Sequence, residues 1–455
     1  MHIAIIGNGI SGVTAARFIR KLSDHRITII SSESEYFYSR TALMYIYMGH
    51  MRQQDTQPYE PYFWKKNRID LVNAHVEKID TENNRLILDN KTDLTYDKLI
   101  IATGSASNMF GWKGQDLDGV GGLYSLQDLE NIEKYSKDLK RAVIVGGGLI
   151  GIELAEMFHA RNIPVTFLVR ENSFWDNVMP PEESAMINRE ILDSHIDLRL
   201  QTELKEIVDD GNGKACAVIT NEGEHIECGF VGLTAGVHPN INFVKNSTIK
   251  TNRGIVVNEY LQTNIENIYA IGDCAEVENP HEGRRSVEAV WYTGKMMGET
   301  VAYTVCNQPI KYKPRLWFNS AKFIDIEYQV YGTVLAQPAE NHASLYWEGE
   351  DGKKAIRIVY DNEKSNVLGF NLMGVRYRHE VCEKWILEET HIETVLQNLG
   401  LANFDPEFYK EYEADVIRLY NLQEGKNLTL KKKRGLNSVL QFLKRTTTLQ
   451  SGVEK

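Results

Sequence analysis

The stretch His2-Ile-Ala-Ile-Ile6-Gly7-Asn-Gly9-Ile-Ser11-Gly12-Val-Thr-Ala-Ala-Arg-Phe18-Ile-Arg-Lys-Leu22, closed by Ile27-Thr-Ile-Ile30, decides the fold. His2–Ile6 is a short apolar run and reads as a buried parallel strand. The glycine turn follows, and Val13, Ala16, Phe18, Ile19 and Leu22 then line one face of a helix. Ile27–Ile30 is the second strand of a βαβ unit. Gly7 permits the tight turn, Gly9 lets the backbone approach a pyrophosphate, and Gly12 lets the helix pack closely on the strand. The helix N-terminus presents free N–H groups and the positive end of the helix dipole to that diphosphate. Glu33, just beyond the second strand, stands where a carboxylate can accept bonds from a ribose diol. A glycine-rich turn alone is weak evidence, but this strand–turn–helix–strand frame favours a dinucleotide over a purely structural turn.

The device recurs. Arg141-Ala-Val-Ile-Val145 reads as a strand, Gly146-Gly-Gly148-Leu149-Ile150-Gly151 as the turn, Ile152–Phe158 as the start of a helix and Val165–Val169 as the next strand. Two such cradles mean two dinucleotides, or one duplicated domain with an inactive copy. Both copies keep all three glycines, which favours two ligands. Val169 occupies the place of an acid that would select NAD. Arg170, the next residue, can pair with a 2′-phosphate, which leans the reading towards NADPH. Glu171 works against that, and a solvated surface arginine is the plain alternative.

Composition sets the frame. The 455 residues are 42% hydrophobic and 25% charged, with a net charge of −11, ordinary for a soluble globular chain of about three domains. No apolar run reaches the ~20 residues of a membrane-spanning helix, and the first strand begins too early to leave room for a signal peptide. Residues 421–455 carry eight Lys and Arg against two Glu, a net +6, which leaves −17 on residues 1–420. An acidic body argues against nucleic-acid binding. The five cysteines, at 216, 228, 274, 306 and 382, form no C-x-x-C pair and no zinc-type cluster, so no metal site is expected. A reducing cytoplasm is the natural setting.

Three more stretches accompany the cradles: Tyr96-Asp-Lys-Leu-Ile-Ile-Ala102-Thr103-Gly104-Ser105, Gly236-Val-His-Pro-Asn240 and Asn267-Ile-Tyr-Ala-Ile-Gly272-Asp273-Cys-Ala275. With these five motifs in order, the chain to about residue 335 resembles the FAD-dependent pyridine nucleotide–disulfide oxidoreductase superfamily. The resemblance implies an α/β fold: two Rossmann-like dinucleotide-binding domains plus an α+β C-terminal domain. The expected FAD domain spans residues 1–115 and 247–308, the NAD(P) domain 116–246, and the C-terminal domain 309–420, with a basic tail at 421–455. By this resemblance the first cradle binds FAD through Gly7, Gly9, Ser11, Gly12 and Glu33, with Val76 and Ala102-Thr103-Gly104 closing against it. Gly272 and Asp273 hold its ribityl chain or pyrophosphate side. The second cradle, with Gly146, Gly148, Leu149, Ile150, Gly151, Arg170 and Gly236, binds NAD(P)H.

The disulfide reductases of this superfamily carry a reactive cysteine shortly after the second FAD strand. Here that stretch is Tyr36-Phe-Tyr38-Ser-Arg40-Thr-Ala-Leu43-Met-Tyr45, and no cysteine precedes Cys216. Mercury- or glutathione-type reduction is therefore disfavoured. Cys274, beside Asp273, reads as a small buried residue. Tyr38, Arg40 and Leu43 instead match the Tyr-x-Arg-Pro-Pro-Leu-Ser-Lys stretch of ferredoxin and rubredoxin reductases, whose relatives include nitrite reductase flavin portions and apoptosis-inducing-factor-like proteins. Thr41, Ala42, Met44 and Tyr45 depart from it. The family lysine beside the flavin is absent at Tyr45, leaving its helix partner, by position Glu153, to protonate or to find Arg40. Glu153 and Arg40 are the expected catalytic pair. Trp291 and Trp317, the latter in Pro314-Arg-Leu-Trp-Phe, are candidates to lie against the flavin, with plain core packing as the alternative for each.

Residues 309–420 alternate short strands and turns, then suggest helices at Val381–Glu389 and Ile392–Leu399. His379, Glu380 and His391 lack metal spacing and read as surface or interface groups. In the tail, Lys431–Arg434 followed by Leu436, Val439, Leu440 and Leu443 suggests a basic amphipathic helix for an acidic partner or an anionic membrane surface, or a solvated extension. The functional expectation is an FAD enzyme that takes hydride from NAD(P)H and, lacking a thiol relay, passes electrons to an external acceptor. A ferredoxin, a rubredoxin or a partner subunit is the best candidate. The rivals are an NAD(P)H oxidase or quinone reductase, and a slow-turnover, apoptosis-inducing-factor-like redox sensor. A homodimer is open.

Overall fold

The computed structural model describes residues 1–405 and 410–431. The chain forms two compact units. The first comprises Met1–Leu168 and Thr202–Pro314, and the second residues 169–201 with the chain from Arg315 onward. This division runs across the domain borders expected from the sequence, because the segment that follows the strand Val165–Val169 is grouped with the C-terminal region.

In the first unit the N-terminal βαβ element builds a parallel sheet in the order Ile268–Ala270, Lys98–Ile101, His2–Ile6, Arg26–Ser31, Ile69–Asn73. Its central strands are buried beyond their first residues, as the apolar runs Ile3–Ile6 and Leu99–Ile101 require. Helix Ile10–Leu22 packs beside helix Trp291–Val305. They touch closely because Gly298 has no side chain: a methyl there would lie 2.5 Å from the Ser11 carbonyl oxygen. A second parallel sheet has Ala142–Val145 between Val165–Val169 and Phe230–Leu233, with Val120–Gly121 beyond. The chain crosses between the sheets twice, through Ser105–Ser107 and back through Val237–Pro239, and these two passes pair antiparallel. That pairing sets the Ala102–Gly104 segment beside the Gly236–Asn240 segment, where the Asn240 N–H bonds the Gly104 carbonyl at 2.9 Å.

The second unit holds a five-stranded antiparallel sheet ordered Phe318–Phe323, Ile326–Gly332, Val367–Met373, Ala355–Asp361, His342–Glu348. Helices His379–Leu387, Ile392–Gln397 and Glu413–Glu424 share a core with it around Phe370, Tyr377 and Trp385. The two expected helices, Val381–Glu389 and Ile392–Leu399, are found with their ends shifted by up to two residues, the second yielding to a 3-10 turn, Leu399–Leu401; Glu413–Glu424 was not expected. Helix Pro181–Asp193, from the segment after the second cradle, is tied to this sheet by a buried ion pair, Arg357 Nε to Glu183 Oε1 at 2.7 Å. His391 caps its helix by accepting the Glu393 N–H, and the His379 ring lies against Phe318 and Tyr331. Apart from Lys431, the expected basic amphipathic segment lies outside the described residues.

Candidate active site

A cleft of about 550 Å3 lies within the first unit, and its wall contains residues of both glycine-rich segments, a size typical of a ligand site. Gly7 adopts φ +108°, and a methyl on Gly12 would sit 2.1 Å from the Gly7 carbonyl oxygen, so turn and helix can meet only with glycine at both places. Gly9 is the opposite case: a methyl there would meet nothing within 4 Å, so the backbone faces open cleft. Gly148 of the second turn is equally open. Helices Ile10–Leu22 and Leu149–Ala160 start at these two turns, and neither has an acidic residue in its first turn. Both N-termini keep the electrostatic character that suits a diphosphate. Glycine cradle, open volume and flanking acids fit FAD at the first turn.

Of the residues singled out by sequence, the cleft wall gathers Gly7, Gly9, Ser11, Glu33, Arg40, Val76 and the Ala102–Gly104 segment, together with Leu149, Ile150, Glu153, Asp273 and Trp291. Gly12, Gly146, Gly151 and Gly272 stand behind it as close-packing positions; a methyl on Gly272 would lie 2.6 Å from Ser11 Oγ. Gly236 has φ +88° at the return crossing. The strand Ile268–Ala270 stops short of Asp273, which sits in a 3-10 turn, Gly272–Cys274. Arg170 follows its strand as expected, and its Nε bonds Glu171 at 2.7 Å. Trp317 belongs to the second unit, immediately before the strand Phe318–Phe323.

The carboxylates of the cleft differ in their partners. Arg40 grips Glu33 at both oxygens, at 2.6 and 2.9 Å. The Tyr38 hydroxyl and the Leu126 N–H donate to the same carboxylate. Burial would raise this carboxyl, but the Arg40 guanidinium and these donors outweigh it and hold it below the usual glutamate value. The expected ribose acceptor is thus already engaged by protein donors. Asp273 accepts from Ser105 Oγ at 3.0 Å and from the Tyr124 hydroxyl at 3.4 Å. Its carboxyl is raised, burial outweighing those donors.

Glu153 has no comparable support. Arg40 is committed to Glu33, so the choice left open by the sequence falls against an Arg40 partner. Tyr45, at the position of the absent lysine, stacks on His50 with ring centroids 6.1 Å apart, and its neighbour Met44 lines the cleft instead. Burial and the nearby Glu156 push the Glu153 carboxyl up to about 7.

Tyr124 was missed by sequence reasoning and joins these groups. Its backbone carbonyl accepts from Arg40, its ring lies 4.4 Å beneath the Arg40 guanidinium, and its hydroxyl accepts the Ser105 N–H at 2.8 Å. Burial and the Asp273 charge push its phenol up to about 12. No motif marks it; the only signal is an aromatic residue beside the Ser125 cap of helix Leu126–Ser136. All five cysteines are among the described residues, and none lines the cleft. Cys274 is fully buried with its Sγ near the Ile101 and Ile271 carbonyls. Among the described residues no cluster of metal-ligating side chains occurs, and no helix is long and apolar enough to cross a membrane.

Known proteins agree with this architecture. The model of the family described as pyridine nucleotide-disulphide oxidoreductase matches residues 1–298. The assimilatory nitrate reductase electron transfer subunit of Bacillus subtilis is 28% identical over 310 residues, covering 68% of this chain and 40% of that protein. This chain therefore spans less than half of that relative. The NADH oxidase of Methanocaldococcus jannaschii is 29% identical over 400 residues, covering 82% of this chain and 88% of the relative. Among solved structures, an NAD-dependent persulfide reductase from A. fulgidus shares the fold, with a TM-score of 0.81 at 20% identity over 95% of this chain and 86% of that one. The chain belongs to the pyridine nucleotide-disulphide oxidoreductase family.

Proposed function

We propose that this enzyme passes electrons from NAD(P)H, through FAD, directly to an external one-electron acceptor: a small redox protein or a partner subunit. The observation that carries the reading is the composition of the cleft, which brings both cradles to one cavity and contains no thiol. Thiol–disulfide exchange needs a thiolate at the flavin, and Cys274, the nearest in sequence to a cleft residue, is buried with its thiol pushed up by that burial. The relative named as an electron transfer subunit supports the same reading.

FAD supplies the conversion between a two-electron donor and single electrons. The chain supplies position and shielding. The turn at Gly7–Gly12 and the start of helix Ile10–Leu22 hold the diphosphate. Asp273, steadied by Ser105 and Tyr124, accepts from the hydroxyl chain. Arg40 keeps Glu33 ionised at the adenosine side. Gly146–Gly151, with Leu149 and Ile150 lining the cleft, would receive the nicotinamide dinucleotide. Trp291, 37% exposed, forms part of the cleft wall and would shield the flavin edge. The three-domain division and a cytoplasmic setting complete the proposal.

A second reading rests on the NADH oxidase relative, which matches 88% of its own length: electrons delivered to oxygen or a quinone. Anaerobic stopped-flow reduction with NADH and with NADPH, followed by mixing with ferredoxin, rubredoxin, a quinone or oxygen, separates the two. Rapid reoxidation by the iron–sulfur proteins and slow oxygen consumption are expected. Failure of both nicotinamides to bleach the flavin contradicts the proposal.

A further inference from the structure

Oxidation of NAD(P)H to NAD(P)+ releases two electrons and one proton. When two one-electron acceptors take the electrons, the proton stays behind in the cleft and must reach water. This stoichiometry rests on the function proposed above, and it requires a base beside the reacting rings.

The cleft wall offers few candidates. Glu33 is held ionised by Arg40, Tyr38 and the Leu126 N–H. Asp273 is engaged by Ser105 and Tyr124. His75 lines the cavity beside Val76, on the first-cradle side assigned to FAD. Glu153 belongs to the second-cradle side, on the first turns of helix Leu149–Ala160, and has no hydrogen-bond or ion-pair partner among the described residues. The elements packed on this helix add no neutralising charge. Strands Ala142–Val145 and Phe230–Leu233 are apolar, and helix Leu43–Tyr47 brings only the phenols of Tyr45 and Tyr47, of which Tyr47 bonds Ser136. Across the cavity, Lys295 stands over the Trp291 ring at 5.9 Å. Glu156 lies one turn along the same helix, and Arg161 at the helix C-terminal end is bound to Glu133 and to the Tyr47 carbonyl.

We propose that Glu153 is the proton carrier of the cleft: its carboxylate takes the proton left over from each NAD(P)H, forming an O–H bond, and returns it to water. A carboxylate fixed in an ion pair is a poor base because its partner favours the charged form. Glu153 has no such partner among the described residues, which leaves it available for this duty. Burial and Glu156 bring its carboxyl up to about 7, where it can both accept and release a proton at neutral pH.

The test uses FAD-loaded protein reduced by light under anaerobic conditions, so no nicotinamide is needed, then mixed with ferricyanide in weak buffer containing a pH indicator. In the wild type, proton release keeps pace with reoxidation and its rate rises with pH through a midpoint near neutrality. In Glu153→Gln, proton release lags by roughly 10²-fold or more, the usual worth of a positioned base, and Glu153→Asp recovers part of the rate. Wild-type proton release in Glu153→Gln overturns the proposal. If that variant retains no FAD, the wild-type pH profile decides alone, and a flat profile across the neutral range overturns it. Failure of NAD(P)H to reduce the same preparation would contradict the reductase reading while leaving this measurement intact.

Discussion

Glu33 and Glu153 face the same cleft from opposite cradles and meet opposite fates. One is gripped at both oxygens by a guanidinium; the other is half-buried near a second glutamate and has no paired cation among the described residues. Burial acts on both in the same direction, raising the carboxyl. The partner decides the outcome, so Glu33 ends below its ordinary value and Glu153 near 7. A charge bound at both oxygens is suited to fixing a ligand's position, whereas a carboxyl poised near neutrality is suited to moving protons.

The comparison can be pushed to its limit in the second unit, where Glu183 is fully buried against Arg357. Arg357→Met removes the cation and strands that charge. Urea unfolding should show a loss of about 3–5 kcal/mol; an unchanged midpoint would mean that the partner does not govern buried carboxylates here. Arg40→Leu is the next largest case. Both residues are partly exposed, so loss of the charge-assisted bonds should cost about 1.5–3 kcal/mol and reduce flavin retention. Arg40→Lys should restore only part, because an ammonium cannot reproduce the two-pronged grip.

Tyr124→Phe keeps the ring beneath Arg40 and the backbone carbonyl but removes the hydroxyl from Asp273 and the Ser105 N–H. FAD dissociation, followed by quenching of its fluorescence, should weaken about tenfold, or ~1.4 kcal/mol. The pH below which FAD affinity changes should move upward as Asp273 loses a donor. Unchanged affinity at every pH would reduce Tyr124 to packing. The smallest effect concerns Glu153 and stability. Its folded carboxyl lies near 7 against an ordinary 4.5, so the unfolded chain loses this proton first. The native state is therefore progressively penalised from about pH 4.5 to 7, and the penalty is constant above that. Glu153→Gln should raise the melting temperature at pH 8 and leave it unchanged at pH 4. For Glu33 the sign reverses: the stabilisation is full above pH 4.5 and fades in acid.

The sequence was informative where physics is local. The central runs Ile3–Ile6 and Ala142–Val145 are continuously apolar, and the first glycine turn is legible because backbone crowding admits no side chain at Gly7 or Gly12. The candidate residues from the first cradle to Asp273 were placed by motif, and most face one cleft. Long-range pairing was out of reach. Arg40 meets Tyr124 across 84 positions, and Arg357 meets Glu183 across 174. No periodicity records such partners. The grouping of residues 169–201 with the C-terminal sheet was equally out of reach, since the buried pair that ties helix Pro181–Asp193 to that sheet joins residues far apart in sequence. The inward turn of Met44 in place of Tyr45 depends on which side chain the short helix Leu43–Tyr47 directs at the cavity, and this was not visible in the motif.

The central claim is that flavin alone, without a thiol, stands between the nicotinamide and the outside acceptor. Anaerobic reductive titration of the FAD-loaded protein, with the absorbance followed to completion, tests it most directly. Full reduction after one electron pair per flavin, with the flavin then reoxidised by a one-electron acceptor at the same rate after alkylation of accessible thiols, is the predicted result. A requirement for a second electron pair, or loss of outflow on alkylation, would contradict it.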